Sequence, residues 1–403
     1  MSNLGFMEKL LDGVDIEWKS LTDIFQLKNG YTPSKSKKEF WESGTVPWFR
    51  MDDIRERGNI LNEALQKVSE SAVKGGKLFP AGSIIIATSA TIGEHALVNV
   101  PFLANQRFTN LSLKPDYQGV LNNKFIFYYC YILADWCKKN TTKSSFASVD
   151  MDGFKKFQFP IPCPDNPEKS LKIQAEIVRI LDTFTSLTNE LTNELTNELT
   201  ARKKQYNYYR DKLLSFGDEN AEWKTLGDVA VIGTGKHDTR DAIDGGEYIF
   251  YARGKVPLKL DTFNFDETAI ITAGDGAGVG KVYHYAQGKY ALHQRAYRIV
   301  PDETLHPRFL YHYISAFFYD YIQKVSVSSS VTSLRRPMFI KFPIPVIPLF
   351  EQERIVSILD KFDTLTTSIK GGLPKEIELR RKQYEYYRDL LFSFPKPDAT
   401  ETV

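Results

Sequence analysis

Residues suited to chemistry are sparse in this chain, and each group of them fails a test of spacing. Gly233-Thr234-Gly235-Lys236 resembles the end of a phosphate-binding loop, where backbone N–H groups and a lysine hold phosphate oxygens. It lacks the earlier glycine of such a loop and the Ser or Thr after the lysine, where His237 stands. Gly274-Asp275-Gly276-Ala277-Gly278-Val279-Gly280 is glycine-rich, but Val279 occupies the last position of a GxGxxG pattern. A tight turn that lets backbone come close to a neighbour is its expected role. The six histidines lack metal-ligand spacing; His284 and His293, nine apart, read as surface or core residues. Cys130, Cys137 and Cys163 include no CxxC pair, so neither a disulfide framework nor a zinc site is expected.

The elements that must position any site are more informative. Leu187 to Thr200 reads LTNELTNELTNELT, a four-residue unit repeated three times and begun again. Apolar residues continue at helical spacing on either side: Ile173, Ile177, Ile180, Phe184, Leu187 and Leu191, then Leu195 and Leu199, then Tyr206, Tyr209, Leu213 and Phe216. No Pro or Gly interrupts Glu168 to Phe216. The spacing predicts one helix of about 45 to 50 residues, roughly 70 Å long. Each tetrad carries its leucine about 40° further round the axis and about 6 Å along it. A solvated helical spacer is the plainer alternative, because Thr, Asn and Glu fill the other faces.

The chain is a tandem duplication. Before the helix, residues 1–162 read as a mixed α/β globule opening on Glu17-Trp18-Lys19-Ser20-Leu21. Ser83 to Thr88 is β-branched enough for a buried strand, Asn122 to Lys139 is an aromatic amphipathic helix, and Phe159-Pro160-Ile161-Pro162 is an extended stop. The same parts recur as Glu222-Trp223-Lys224-Thr225-Leu226, Ala269 to Ala273, Pro307 to Ile314, and Phe342-Pro343-Ile344-Pro345. Arg202-Lys203-Lys204-Gln205-Tyr206 matches Arg380-Arg381-Lys382-Gln383-Tyr384 at an offset of 178 residues. The second helical seam runs Leu365, Ile369, Leu373, Ile377 and Tyr384, and Gly371-Gly372-Leu373-Pro374 predicts a break within it. The expected divisions are 1–162, 163–217 for the tetrad helix, 218–345, 346–394 for the second helix, and a flexible tail at 395–403.

Composition narrows the class. Apolar residues make up 42% and aromatic residues 13%, which is enough for folded cores. Neither a leader segment nor an apolar run of about 18 residues is seen, so a cytoplasmic protein is expected. With 52 basic and 50 acidic side chains the net charge is only +2, so any nucleic-acid contact must come from local patches or be shared with a partner.

Globule, long helix, globule, long helix: this order, with the tetrads and the repeated RKKQYNYYRDKLLSF and RRKQYEYYRDLLFSF segments, resembles the specificity subunit of type I restriction–modification systems, the type IC branch in particular. The resemblance implies a non-catalytic α/β (α+β) chain of two target-recognition domains joined by two long antiparallel coiled-coil helices. Each domain would read one half of a bipartite double-stranded DNA target. The helices would dock two methyltransferase subunits, and two ATP-driven restriction subunits would complete the nuclease. No cofactor is expected on this chain; S-adenosylmethionine, ATP and Mg would sit on the partners. No Asn/Asp-Pro-Pro-aromatic motif of an adenine methyltransferase is present, in keeping with that division. Tetrad geometry then acquires a use. One tetrad turns the helix by about as much as one base pair turns B-DNA, about 34–36°, although it advances about 6 Å against about 3.4 Å. Leu187, Leu191, Leu195 and Leu199 are therefore the expected spacer seam, at about one base pair per tetrad.

Candidate DNA contacts come from loops recurring in both globules. In the first they are Lys35, Lys37, Lys38, Arg50, Arg55, Arg57, Ser89, Thr91, Asn105, Gln106, Arg107, Lys143, Ser144 and Ser145. In the second they are Lys236, His237, Arg240, Arg253, Lys255, Asp275, His293, Gln294, Arg295, Ser329, Arg335 and Arg336. Arg and Lys suit guanine edges and phosphates, and Asn and Gln suit adenine. Pairs at matching positions could instead be scaffold, with Gln106 and Gln294 fastening strand ends, because domains reading different sequences should differ at their readers. That favours the unmatched Arg50, Arg57, Arg240 and Arg253 as base readers. Tyr206, Tyr209, Tyr384 and Tyr387, with Arg202, Lys203, Arg380 and Arg381, are expected to pack the seam and anchor a protein partner. The rivals are a fused methyltransferase or nuclease, and a coiled-coil spacer presenting two globules that bind other ligands.

Overall fold

The computed structural model describes residues 9–11, 13–142, 147–217, 219–325, 334–367 and 372–395. The chain divides into two compact units, Met1–Leu191 with Arg380–Val403, and Thr192–Leu379.

In the first unit the β-branched run Ser83–Ala87 is buried at every position and lies at the centre of a five-stranded sheet. Phe108–Leu113 and His95–Val98 flank it antiparallel; Phe25–Asn29 and Ile60–Leu61 form the edges. A smaller sheet orders Lys67–Val68, Val46–Phe49 and Leu103–Ala104. The aromatic helix Asn123–Lys139 closes the core, with Phe125, Ile126, Cys130 and Leu133 almost wholly buried. Asn122 starts it by accepting the Lys124 and Phe125 N–H groups, and Lys138 and Lys139 favour its C-terminal end.

The second unit repeats this plan with the sheets merged. Its six strands run in the order Ala230–Thr234, Ala296–Pro301, Phe265–Ala273, Tyr283–Leu292, Tyr248–Tyr251 and Leu258–Leu260. Tyr283–Leu292 continues unbroken where the first unit interrupts the corresponding run between Val98 and Leu103. Pro101 lies in that interruption, and a proline cannot donate to a ladder.

Each opening motif pairs with the stop of its own unit. Ile16–Ser20 runs antiparallel to Gln158–Pro162, with Trp18 opposite Pro160; Glu222–Thr225 pairs with Pro343–Val346, with Trp223 opposite Pro345. Such two-stranded ribbons are where proline-rich strands are tolerated.

The tetrads lie in one continuous helix, Pro167–Leu213, of 47 residues. Its buried face is confined to Ser170 through Leu181; Leu191, Leu195 and Leu199 are half-buried and Leu187 is 50% exposed. Two buried glutamines join the long helices to the domains. Gln174 receives the Asn122 N–H at 2.8 Å and donates to Val120 O at 2.9 Å and Ser170 Oγ at 3.0 Å. Gln352, its counterpart 178 residues on, receives the His306 N–H at 2.7 Å and donates to Thr304 O at 2.9 Å and Ile347 O at 2.7 Å. About two turns further, Asp182 holds Lys124 at 2.7 Å and Tyr128 at 2.8 Å, while Asp360 holds Arg308 at 2.8 Å and His312 at 2.7 Å. The duplication therefore extends to the side-chain bonds.

The second long helix is in two pieces, Leu349–Thr367 and Gly372–Leu391. Ile369 and Gly371 of the predicted seam and break lie outside the described residues. Gly372 has φ +77, and a methyl on it would stand 2.6 Å from Thr364 O, so glycine is needed there. Pro374 falls in the first turn, where its missing N–H has no acceptor to lose. Across the seam, Phe184 meets Tyr387 at 5.7 Å and Thr185 meets Tyr384 at 2.9 Å. A step forward on one helix is a step back on the other, so the segments run antiparallel. In the second unit Phe362 and Tyr209 repeat the Phe184–Tyr387 contact at 5.8 Å.

Candidate nucleic-acid interface

In the first unit a cleft of about 650 Å³ gathers residues that are distant in sequence. Lys35, Lys38, Arg50, Arg55, Thr91, Asn105, Gln106 and Arg107 of the expected set line it, with Thr32, Trp41, Glu42, Trp48, Met51, Asp52 and Gln66. Five cationic side chains against two carboxylates make its lining net positive, although the whole chain is nearly neutral. Arg50 is the best positioned of them. Its N–H bonds the buried Asp53 at 2.7 Å, and Asp53 also accepts the Leu65 N–H at 2.6 Å, which pins the start of helix Met51–Arg57. The guanidinium lies 5.5 Å over Trp48, whose own N–H is spent on Tyr31 O at 3.0 Å. Arg50 Nε is buried without a protein partner among the described contacts. Asn105 shapes the wall by accepting the Arg107 N–H at 3.0 Å, and the Thr32 hydroxyl donates to the Gln106 side chain.

Three expected contacts lie away from the cleft. Lys37 covers the Phe40 ring at 5.0 Å, Arg57 is paired with Glu63, and Ser89 bridges to Ser148. Lys143, Ser144 and Ser145 lie outside the described residues.

The second unit places its candidates around the equivalent turn. Lys236 and His237 N–H groups both point at Leu292 O, at 3.2 and 3.3 Å, and the Gln294 N–H returns to His237 O at 2.9 Å. Gly235 in the GTGK stretch serves this contact: a methyl on it would stand 1.8 Å from Leu292 O. Gly30 meets Ala104 and Asn105 in the same way. The motif that resembled a phosphate loop is thus a steric device common to both units.

One residue expected to touch DNA turns inward. His293 is 2% exposed, and its Nδ1 accepts the Arg295 N–H at 2.9 Å; burial lowers its pKa. Gln294 donates to Asp238 at 3.1 Å, which fastens the loop. His237 is half-buried beside Asp241 at 3.5 Å. Asp275 reaches Arg253 at 2.8 Å and Arg295 at 3.0 Å. Burial acts to raise the Asp275 carboxyl, but the two guanidiniums outweigh it and hold the pKa below the usual range. Arg240, Lys255, Arg335 and Arg336 are exposed; Arg240 stands 3.5 Å from Asp238. Ser329 lies outside the described residues.

On the helices Tyr206 and Tyr384 are taken up by internal packing. Burial pushes the Tyr206 hydroxyl up to about 12 and raises Tyr384 as well. Tyr209 and Tyr387 are 38% and 39% exposed, but the neighbours Tyr208 and Tyr386, at 61% and 54%, present more surface. Helical spacing placed Tyr209 and Tyr387 on the seam, and their contacts with Phe362 and Phe184 agree. Arg202 pairs with Glu198 at 2.7 Å and Arg380 reaches Gln383 at 3.1 Å, while Lys203 and Arg381 are exposed. Among the described residues no helix is long and apolar enough to cross a membrane.

With two copies of one fold established, comparison with known families is decisive. The model of the type I restriction modification DNA specificity domain matches residues 13–201 and again 219–379. The chain belongs to this family. It is 52% identical over 377 residues to the type I restriction enzyme EcoprrI specificity subunit of Escherichia coli, covering 92% of this chain and 93% of that one. It is 36% identical to the EcoR124I/EcoR124II specificity subunit of Escherichia coli, covering 99% of both. In fold it is similar, at TM-score 0.66 and 15% identity, to a chain solved in work on complex assembly and conformational transition of the type I R-M system, covering 94% and 97%.

Proposed function

We infer that this chain is the DNA specificity subunit of a type I restriction–modification enzyme, reading a bipartite, asymmetric target. One observation carries the reading: the two matched units share the turn bearing Gln106-Arg107 or Gln294-Arg295, yet differ in most side chains around it. That is what two readers of different half-sites require. The cationic cleft of the first unit supplies phosphate contacts and, through Arg50, Asn105 and Gln106, groups suited to base edges. The tetrad helix is assigned the spacing of the half-sites, and the exposed Lys203 and Arg381 region the docking of two methyltransferase subunits. Two restriction subunits complete the assembly. Adenine methylation with S-adenosylmethionine and cleavage with ATP and Mg belong to those partners, in the cytoplasm.

Methylation mapping tests this. The chain is expressed with its methyltransferase partner in a host lacking other adenine modification, and methylated adenine is read across the genome. One asymmetric motif of two short half-sites around a fixed gap is expected. Absence of methylation, from a methyltransferase shown to be active with another specificity subunit, would remove DNA recognition as the function.

A further inference from the structure

The two units share a scaffold whose hydrogen bonds define equivalent positions. The Thr88 N–H donates to Arg107 O at 3.0 Å, and the Gly274 N–H donates to Arg295 O at 2.8 Å. Asn105 N–H donates to Phe49 O at 3.0 Å, and His293 N–H to Tyr251 O at 3.0 Å. Arg295 therefore occupies the place of Arg107, Asp275 that of Ser89, and Arg253 that of Met51. The arginine after the glutamine is common to both units. The carboxylate and the second arginine are found only in the second.

Asp275 joins this difference into one object. Its two oxygens take one nitrogen each, Nη1 of Arg253 at 2.8 Å and Nη1 of Arg295 at 3.0 Å. The described contacts leave the other guanidinium nitrogens of both residues available. Asp275 has 23% of its side chain exposed, against 41% for Arg253 and 62% for Arg295, so the carboxylate sits beneath and the guanidiniums face outward. The backbone under them is fixed as well: His293 Nδ1 holds the Arg295 N–H, and a methyl on Gly278 would stand 2.6 Å from Arg253 O. Guanidinium groups have donors and no acceptor. The base edge complementary to a paired-donor fork in the major groove is guanine, with O6 and N7.

We propose that Asp275 is a positioning residue that presents Arg253 and Arg295 to a guanine in the half-site read by the second unit. The proposal rests on the reading of the chain as a DNA specificity subunit. Fixing each fork by one nitrogen removes rotamer freedom before DNA arrives, so selectivity is lost when the carboxylate goes even though both arginines remain. Ser89 and Met51 cannot build this arrangement, so the first unit reads its half-site by other groups.

The test is methylation mapping of the complete complex with Asp275→Asn, Arg253→Gln and Arg295→Gln. Asp275→Asn is expected to relax one G·C position of one half-site, lowering the preference for guanine there by about ten- to a hundredfold. The other half-site and the gap stay unchanged. At least one arginine variant relaxes the same position, a coincidence that a merely structural role for Asp275 would not produce. If Asp275→Asn prevents assembly, the arginine variants decide: relaxation of a single G·C position supports the proposal, and an unaltered motif overturns it. An unaltered motif in Asp275→Asn overturns it as well, as does relaxation at an A·T position. A wild-type complex that yields no bipartite motif would instead overturn the specificity reading on which the proposal stands.

Discussion

Gln174 and Gln352 offer the sharpest test of how the long helices are joined to the domains. Gln174→Met keeps length and flexibility but removes an amide that makes three hydrogen bonds in a site with no solvent exposure. Val120 O and the Asn122 N–H would be left unpaired in a partly buried site. Each such loss costs about 1–3 kcal/mol, partly offset because the variant no longer buries its own amide. A net loss of about 2–4 kcal/mol is expected. Asn122 also caps the helix Asn123–Lys139, so the loosening should begin there. Hydrogen exchange of the full chain, read by mass spectrometry across a urea series, measures both quantities. Gln174→Met should expose amides from Asn122 into the aromatic helix and leave Pro307–Val325 protected. Gln352→Met should do the reverse, through His306 and Thr304. Stabilities within about 0.5 kcal/mol of wild type for both variants would refute the reasoning, since that is the range of ordinary surface changes.

Further outcomes follow from other features. Deleting one tetrad, Leu191 to Glu194, should shorten the gap of the methylated motif by about one base pair and leave both half-sites intact; an altered half-site would contradict the ruler. His95 is buried, and desolvation lowers its imidazole pKa to about 4. The unfolded chain takes up this proton near pH 6.5 and the folded chain only near 4, so stability falls as pH drops through that window, by about 3 kcal/mol in all. Melting curves for His95→Gln should show a pH slope shallower by about one proton there, and parallel curves would exclude His95 as the source. Gly235→Ala should destabilise the second unit by about 2–3 kcal/mol through its clash with Leu292 O, and thermal melting that shows no loss would contradict that packing.

The duplication and the long helix were legible in the sequence because both depend on local pattern: tetrads without Pro or Gly, and echoed openings and stops. The break at Gly372 and Pro374 was legible for the same reason. Pairing was not. The Trp18 and Trp223 openings and the proline-rich stops look like unrelated punctuation until the sheet register joins them. Gln174 and Gln352 were missed because a buried glutamine on a polar helix has the same letter as a solvated one. The first cleft was foreseen in its lysines and arginines but not in Trp48, which gives Arg50 a surface to lie on, nor in Trp41 packed against that ring. His293 was misjudged because a polar residue in a recurring turn is as readily buried scaffold as a ligand contact.

The two-stranded ribbons have a consequence for how such chains change through descent. Ile16 is paired with Pro162 and Glu222 with Val346, so each recognition domain begins and ends on adjacent backbone. A segment whose two ends already meet can be exchanged for another of different length and sequence without rerouting the chain that carries it. Helices built from one repeated set of contacts, with Asp182 and Asp360 or Gln174 and Gln352 at corresponding places, would accept the newcomer at either position. Recombination within the helix-coding stretches would then produce new pairings of half-sites from old domains, with no intermediate that has to fold in a new way.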